Sequence, residues 1–258
     1  MSNPHDTSLK GRTILVTGAG AGLGRGICLA CAELGAAIIV ASPRENGVET
    51  VREVTDRGGQ ATWIRADATV DSDLEAAVAA AVDTYGSLDA VVHNATSRYS
   101  AAATPIEQVS LEEWDDHVAV SLRAAYVLAR ASLPHLAGRD GRFVLMTSPA
   151  GMEGATDRPA YSAVKGAIRG FTKSLALEWG KHGVAVTCVS PLAVTPALAN
   201  AYKASPQLEE KLRTLVPLGR VGDSETDIGP VIAFLTGPGS RYVTGQTLVV
   251  DGGRFLGL

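Results

Sequence analysis

The chain has 258 residues, of which 46% are hydrophobic and 19% charged, with a net charge of −4. That is ample material for one large α/β core and is unlike a disordered composition. The weak negative charge gives no electrostatic reason to expect nucleic acid or an anionic membrane as partner, and no apolar run approaches the roughly 18 residues of a membrane helix. Residues 1–6 carry neither a basic start nor an apolar stretch, so no secretory signal is expected and the cytoplasm is the expected location.

In chain order, residues 13–16 form the first of seven short strand patterns and run directly into Thr17-Gly18-Ala19-Gly20-Ala21-Gly22-Leu23-Gly24, after which a helical pattern begins. Glycines between a strand and a helix let the backbone turn tightly and approach a pyrophosphate, which then rests on the helix N-terminus. Three residues separate Gly18 from Gly22, so the spacing is not that of G-x-G-x-x-G. Inside the following apolar run, 27–34, Cys28 and Cys31 spell C-x-x-C. No second C-x-x-C or nearby histidine completes a zinc site, so both read as small buried residues facing the sheet. With Cys188 the count is three, which argues against a disulfide framework, and no metal site is expected.

The second strand, 37–41, ends in Ser42-Pro43-Arg44. An acidic residue at 42 would accept a ribose 2′-hydroxyl and repel a 2′-phosphate. Ser42 is neutral, and Arg44 can pair with that phosphate unless it is simply a solvated charge. Further strand patterns follow at 61–66, 90–93, 142–146, 185–189 and 247–250, separated by amphipathic stretches such as 73–85, 111–136 and 161–181. Repeated strand–helix–strand units predict a doubly wound Rossmann fold with a mostly parallel seven-stranded sheet. Continuous hydrophobicity predicts strands buried on both faces. No linker or repeat divides the chain, so 1–258 is expected to be a single domain. The fifth strand ends at Thr147-Ser148, and the next helix opens with Tyr161-Ser162-Ala163-Val164-Lys165. Residues four apart on a helix share a face, and a cation beside a phenol stabilises the phenolate, which suits the hydroxyl to acid–base work.

Together these residues resemble the short-chain dehydrogenase/reductase family over almost the whole chain. Its Thr-Gly-x-x-x-Gly-x-Gly turn is at 17–24, and its catalytic serine, thirteen residues before its tyrosine, falls on Ser148. Its Tyr-x-x-x-Lys is Tyr161 and Lys165, its asparagine–alanine turn is Asn94-Ala95, and its adenine-contacting aspartate matches Asp67. The ending Thr244-Gly245-Gln246…Val250-Asp251-Gly252-Gly253 is also typical of the family. The resemblance implies that Tyr161 exchanges a proton with the substrate oxygen, Ser148 hydrogen-bonds that oxygen, and Lys165 holds the nicotinamide ribose and favours the phenolate. It implies cofactor contacts from Gly18, Gly22, Leu23, Asp67, Ala68, Asn94, Ala95, Tyr161, Lys165, Pro191 and Val194, to which the end of the second strand adds Ser42 and Arg44. A homotetramer formed through the helices at 111–136 and 161–181 is implied as well, and a substrate lid at about 193–216.

Three departures stand out. The family's fourth catalytic residue, an asparagine on a water relay to the lysine, is Ser121 here. That asparagine works mainly through its backbone carbonyl, which any residue supplies if the helix opens locally, so Ser121 is expected to keep the relay. The usual Asn-Asn-Ala-Gly reads His93-Asn94-Ala95-Thr96, with His93 either a second proton-relay group or hydrogen-bonded structure. Pro191-Leu192 replaces Pro-Gly, and the nicotinamide-facing threonine is displaced to Thr195, before Pro196. The expected activity is reduction of a ketone or aldehyde with NADPH, as in a carbonyl reductase, or the reverse, with NAD(H) as the alternative cofactor. A 3-oxoacyl thioester reductase is the alternative within the class, and a catalytically silent nucleotide-binding protein the alternative outside it. The apolar character of the lid (Leu198, Tyr202, Leu208, Leu212, Leu215) points to a moderately apolar substrate.

Overall fold

Short runs rich in β-branched residues favour extended backbone, and here they pair side by side. The computed structural model describes residues 7–256, so residues 1–6, on which the expectation about a secretory signal rests, lie outside it. Its strands are β1 (Thr13–Thr17), β2 (Ala37–Ser42), β3 (Gln60–Arg65), β4 (Ala90–His93), β5 (Arg142–Met146), β6 (Ala185–Pro191) and β7 (Thr247–Val250). They form one sheet in the order β3-β2-β1-β4-β5-β6-β7, with every neighbouring pair parallel. The helices are α1 (Gly22–Glu33), α2 (Asn46–Asp56), α3 (Asp71–Tyr85), α4 (Leu111–His117), α5 (Ala124–Leu136), α6 (Ala150–Glu153), α7 (Pro159–Trp179), α8 (Pro196–Ala204), α9 (Pro206–Leu215) and α10 (Gly229–Thr236). None of the described helices is long and apolar enough to cross a membrane.

Successive strand residues point to opposite faces, which divides the core in two. Leu15, Ile39, Val91 and Phe143 pack on one side against Leu74 of α3, Leu128 of α5 and Ile168 of α7. Ile14, Val40, Val92 and Val144 pack on the other against Ile27 and Cys31 of α1, Val54 of α2 and Ile232 of α10. Both α1 thiols are therefore core groups, and burial pushes Cys31 up to about 12. The expectation of burial on both faces fails at the two edges: β3 and β7 are only half-buried, because an edge strand has a neighbour on one side alone.

Strand order reverses between β1 and β4, and an open sheet forms its ligand crevice at the carboxyl ends of the strands flanking such a point. The register there sets Thr17 opposite His93, and His93 opposite Leu145 on β5. The helical pattern over 111–136 is broken in the middle. Ser110 caps α4 by accepting the Glu113 N–H at 3.1 Å, and a π-helical turn, Val118–Arg123, joins α4 to α5.

Candidate active site

The glycine turn follows β1 at this crevice. Gly18 and Gly22 have φ of +64° and +54°, a region that side chains with a Cβ rarely adopt. At Gly18 a Cβ would lie 2.9 Å from the Ala95 Cα, and at Gly24 one would lie 2.2 Å from the Gly18 carbonyl oxygen. The helix that follows has no side-chain cap and no acidic residue in its first turn, so its N-terminal N–H groups remain available to an anion. Behind the turn, Arg25 donates to the Gly20 carbonyl at 2.9 Å while paired with Glu49 and Glu53, and Thr50 donates to the Ala19 carbonyl at 2.9 Å. The cradle is pre-formed and suits the pyrophosphate of a dinucleotide.

A groove of about 370 Å³ continues from Thr17 and Gly18 past Pro43, Arg44, Asp67, Ala68 and Thr69, with Ala95, Thr96 and Val120 on its other wall. Its course matches the adenosine half of such a ligand. One oxygen of Asp67 accepts from the Thr69 N–H and hydroxyl, and the other has no protein donor among the described residues. Arg44 is exposed on the rim, whereas Ser42 is buried with its hydroxyl committed, donating to the Arg44 carbonyl at 2.9 Å and accepting from Trp63 Nε1 at 3.0 Å. Ser42 thus shapes the turn that carries Arg44 rather than facing the groove with a free hydroxyl.

Tyr161 and Lys165 lie one turn apart on α7, with the Lys165 Nζ 5.7 Å from the centre of the Tyr161 ring. Lys165 is 4% exposed and donates to the Met146 carbonyl at the end of β5 at 2.9 Å, leaving two ammonium protons for other partners. Thr147 returns the tie by donating to the Lys165 carbonyl at 2.8 Å. A Cβ on Gly151 would lie 2.4 Å from the Lys165 carbonyl carbon, so α6, which follows Ser148, sits directly on this turn of α7. Ser148 is half-buried and accepts the Ala150 N–H at 3.3 Å. The Tyr161 hydroxyl has no protein partner among the described residues and is free for a substrate oxygen. One contact escaped the sequence reading: buried His117, at the end of α4, packs on Tyr161 with ring centres 5.9 Å apart and its Nδ1 unpartnered. A lone histidine in a helical pattern gives no signal of that.

The π-turn places Ser121 deep in the protein, its hydroxyl without a partner. Its carbonyl, together with that of Val120, accepts from His93 Nε2, each at 3.1 Å. Carbonyls only accept, so Nε2 carries the proton and Nδ1 accepts from the Thr17 hydroxyl at 2.8 Å. Burial, and after it the Lys165 ammonium, pull His93 down to about 4, so the ring is neutral. Of the two readings of His93, hydrogen-bonded structure describes its surroundings. On the opposite wall, Pro191 ends β6 and the Val194 N–H donates to the Gly222 carbonyl at 2.8 Å. Thr195 accepts the Leu198 N–H to start α8, and the Pro196 Cδ lies 2.9 Å from where a Gly22 Cβ would be. The displaced threonine and its proline therefore close over the pyrophosphate turn.

The chain as a whole has counterparts in sequence and in fold. Residues 18–254 match the family described as enoyl-(acyl carrier protein) reductase. The hydroxynaphthalene reductase-like protein Arp2 of Metarhizium brunneum is 35% identical, covering 98% of this chain and 99% of its own. The chain belongs to the short-chain dehydrogenase/reductase family. A 3-oxoacyl-[acyl-carrier-protein] reductase FabG of Staphylococcus aureus is 32% identical over 95% of this chain and 98% of its own. Among solved structures, a putative NAD(P) dependent gluconate 5-dehydrogenase from Beutenbergia cavernae with bound NADP superposes with a TM-score of 0.86 at 34% identity, covering 96% of this chain and 98% of that one. A 7α-hydroxysteroid dehydrogenase complexed with NADH and 7-oxo glycochenodeoxycholic acid gives a TM-score of 0.89 at 27% identity, with 98% of each chain covered. As a short-chain dehydrogenase/reductase, this chain is an NAD(P)-dependent oxidoreductase that acts on small molecules.

Proposed function

We propose that this chain is a single catalytic domain that reduces a ketone or aldehyde to an alcohol, or catalyses the reverse, with NADP(H) preferred. The observation that carries the reading is the buried Lys165 ammonium one turn from the free hydroxyl of Tyr161, tied to the carboxyl end of β5 on the same sheet edge as the glycine turn after β1. A bound nicotinamide supplies or accepts the hydride. In reduction, Tyr161 gives its proton to the carbonyl oxygen while Ser148 donates a hydrogen bond to the same oxygen. The resulting phenolate is stabilised by Lys165 until a proton returns from solvent, and oxidation reverses these steps. Arg44 supports the cofactor preference, since it alone at the end of β2 offers a charge to a 2′-phosphate. The α8–α9 segment, at about 193–216, would serve as lid over a moderately apolar substrate. A homotetramer fits the exposed apolar residues on the outer helices, Leu111 and Tyr126 among them, with Leu177 88% exposed, and the cytoplasm is the location this reading carries with it.

The named activity of the S. aureus relative favours a second reading within the same chemistry, reduction of a 3-oxoacyl thioester. A panel of ketones, aldehydes and a 3-oxoacyl-CoA, assayed with NADPH and NADH, separates the two readings. Tyr161→Phe tests the site: it is expected to lower kcat by about 10²–10⁴-fold while NADPH binding, followed by fluorescence, is unchanged. Undiminished turnover in that variant would remove Tyr161 from the mechanism, and a wild type inert on the whole panel would favour a silent nucleotide-binding protein.

A further inference from the structure

His93 bridges the glycine turn and the helical side of the site. Its register partner on β1 is Thr17, the residue that opens the cofactor turn. The Thr17 hydroxyl donates to His93 Nδ1 and accepts the N–H groups of Asn94 at 3.1 Å and Ala95 at 3.2 Å, so both of its lone pairs and its proton are used. Asn94 in turn donates to the carbonyls of Thr17 and Gly18. At the other end of the ring, Nε2–H reaches the carbonyls of Val120 and Ser121, which lie within the π-helical turn. A π-turn inserts a residue into the helical ladder and leaves carbonyls without their usual N–H partners. That turn packs against α7, which carries Tyr161 and Lys165. The imidazole is 3% exposed, so it meets neither substrate nor bulk solvent.

We propose that His93 is a positioning residue with two separable ends: Nδ1 fixes the cofactor turn through Thr17, and Nε2–H fixes the π-turn that supports Tyr161 and Lys165. The π-turn end rests on the reading of Tyr161 and Lys165 given above, whereas the Thr17 end rests on the glycine turn alone. The side chain at 121 contributes no bond of its own, because the Ser121 hydroxyl is unpartnered. The imidazole spans from β1 to the helix with a nitrogen at each end.

The amide analogues split the two ends. An asparagine amide reaches about as far as Nδ1, and a glutamine amide about as far as Nε2. In His93→Asn an acceptor for Thr17 remains and the bond to the π-turn is lost, so kcat should fall about tenfold with the Kd for NADPH near wild type. In His93→Gln the donor to the Ser121 carbonyl remains and the Thr17 bond is lost, so kcat should stay within about threefold while the Kd for NADPH rises by about tenfold. His93→Phe should lose both. Fluorescence titration with NADPH, steady-state kinetics and thermal melting of the three variants make the test. Asparagine and glutamine variants that are indistinguishable, or losses in kcat and Kd that simply follow the melting temperature across the series, would overturn the proposal and leave His93 as core. If Tyr161→Phe retains turnover, the site reading fails instead. The Kd contrast between Asn and Gln then decides the Thr17 end by itself.

Discussion

At the amino end of the sheet, Arg142 is 2% exposed and spends its whole guanidinium on protein: both Asp140 carboxylate oxygens at 2.9 Å, the carbonyls of Asp140 and Gly141, and Ser240. Arg12 joins through the Asp140 carbonyl, and the buried Asp89 carboxylate accepts from the Thr13 N–H and Ser87. At the carboxyl end, Lys165 is buried nearly as deeply, yet has one backbone carbonyl and no carboxylate among the described residues. Ser121 Oγ and His117 Nδ1 are buried there without partners, while in the amino-end cluster Arg12 Nε is. The asymmetry lies in the cations: Arg142 is neutralised by Asp140, whereas the Lys165 ammonium has no carboxylate beside it among the described residues, which separates a charge bound for stability from one left open for a ligand.

The sharpest way to break this comparison is to replace each buried cation by an apolar side chain of similar length. Lys165→Met is expected to lower kcat by about a thousandfold, within the usual span for acid–base groups, with thermal stability unchanged to within about 1 kcal/mol. The variant relieves a buried charge at the cost of one hydrogen bond. Arg142→Met should do the opposite. It takes the guanidinium donor from Ser240 and the paired cation from the Asp140 carboxylate, for an expected loss of about 2–4 kcal/mol and a Tm lower by about 5–10 °C, with kcat at 25 °C unchanged. A Lys165→Met protein that melts far below wild type, or an Arg142→Met enzyme with a changed kcat, would erase the distinction between the two ends.

These two ends also differed in how far they could be read beforehand. The glycine turn and the Tyr-x-x-x-Lys pair are local: a strand, a turn and a helical repeat bring their groups together within a few residues. The amino-end cluster joins residues 12, 89, 140, 142 and 240, and nothing in any one segment marks Arg142 as buried. His93 departs visibly from the family pattern, but its role depends on register between β1 and β4 and on a π-turn that helical periodicity cannot distinguish from an ordinary helix. Ser42 shows the same limit. Its place at the end of β2 was plain, while the bond that occupies its hydroxyl comes from Trp63 on a neighbouring strand.

The engagement of Ser42 sharpens the cofactor expectation by leaving Arg44 as the charged side chain that the end of β2 turns toward the groove. Arg44→Ala should lower the preference for NADPH over NADH by about tenfold, the worth of one charge-assisted hydrogen bond, measured as the ratio of the two kcat/KM values. Ser42→Ala should move the ratio less, since it loosens the turn without removing the charge. Wild-type kcat/KM that is equal or better with NADH, or a ratio unmoved by Arg44→Ala, would take the 2′-phosphate away from this groove.

The smallest effect is expected at Ser121. Its carbonyl is held by His93, and its hydroxyl is buried without a partner. Removing an unsatisfied hydroxyl deletes a desolvated dipole and no hydrogen bond, so Ser121→Ala should leave stability equal or slightly higher. Because the backbone bond to His93 survives the substitution, kcat should change by less than about tenfold, which corresponds to roughly 1.4 kcal/mol. Ser121→Asn is the harder case, since the larger amide must fit beside the imidazole that already bonds this turn. It should lower kcat more than alanine does unless His93 is shortened as well. The pH–rate profiles of wild type, Ser121→Ala, Ser121→Asn and the His93→Asn/Ser121→Asn pair decide the matter. A thousandfold loss in Ser121→Ala would make the hydroxyl itself a proton carrier. A double variant no better than the product of its singles would show that positions 93 and 121 do not share the space beneath Lys165.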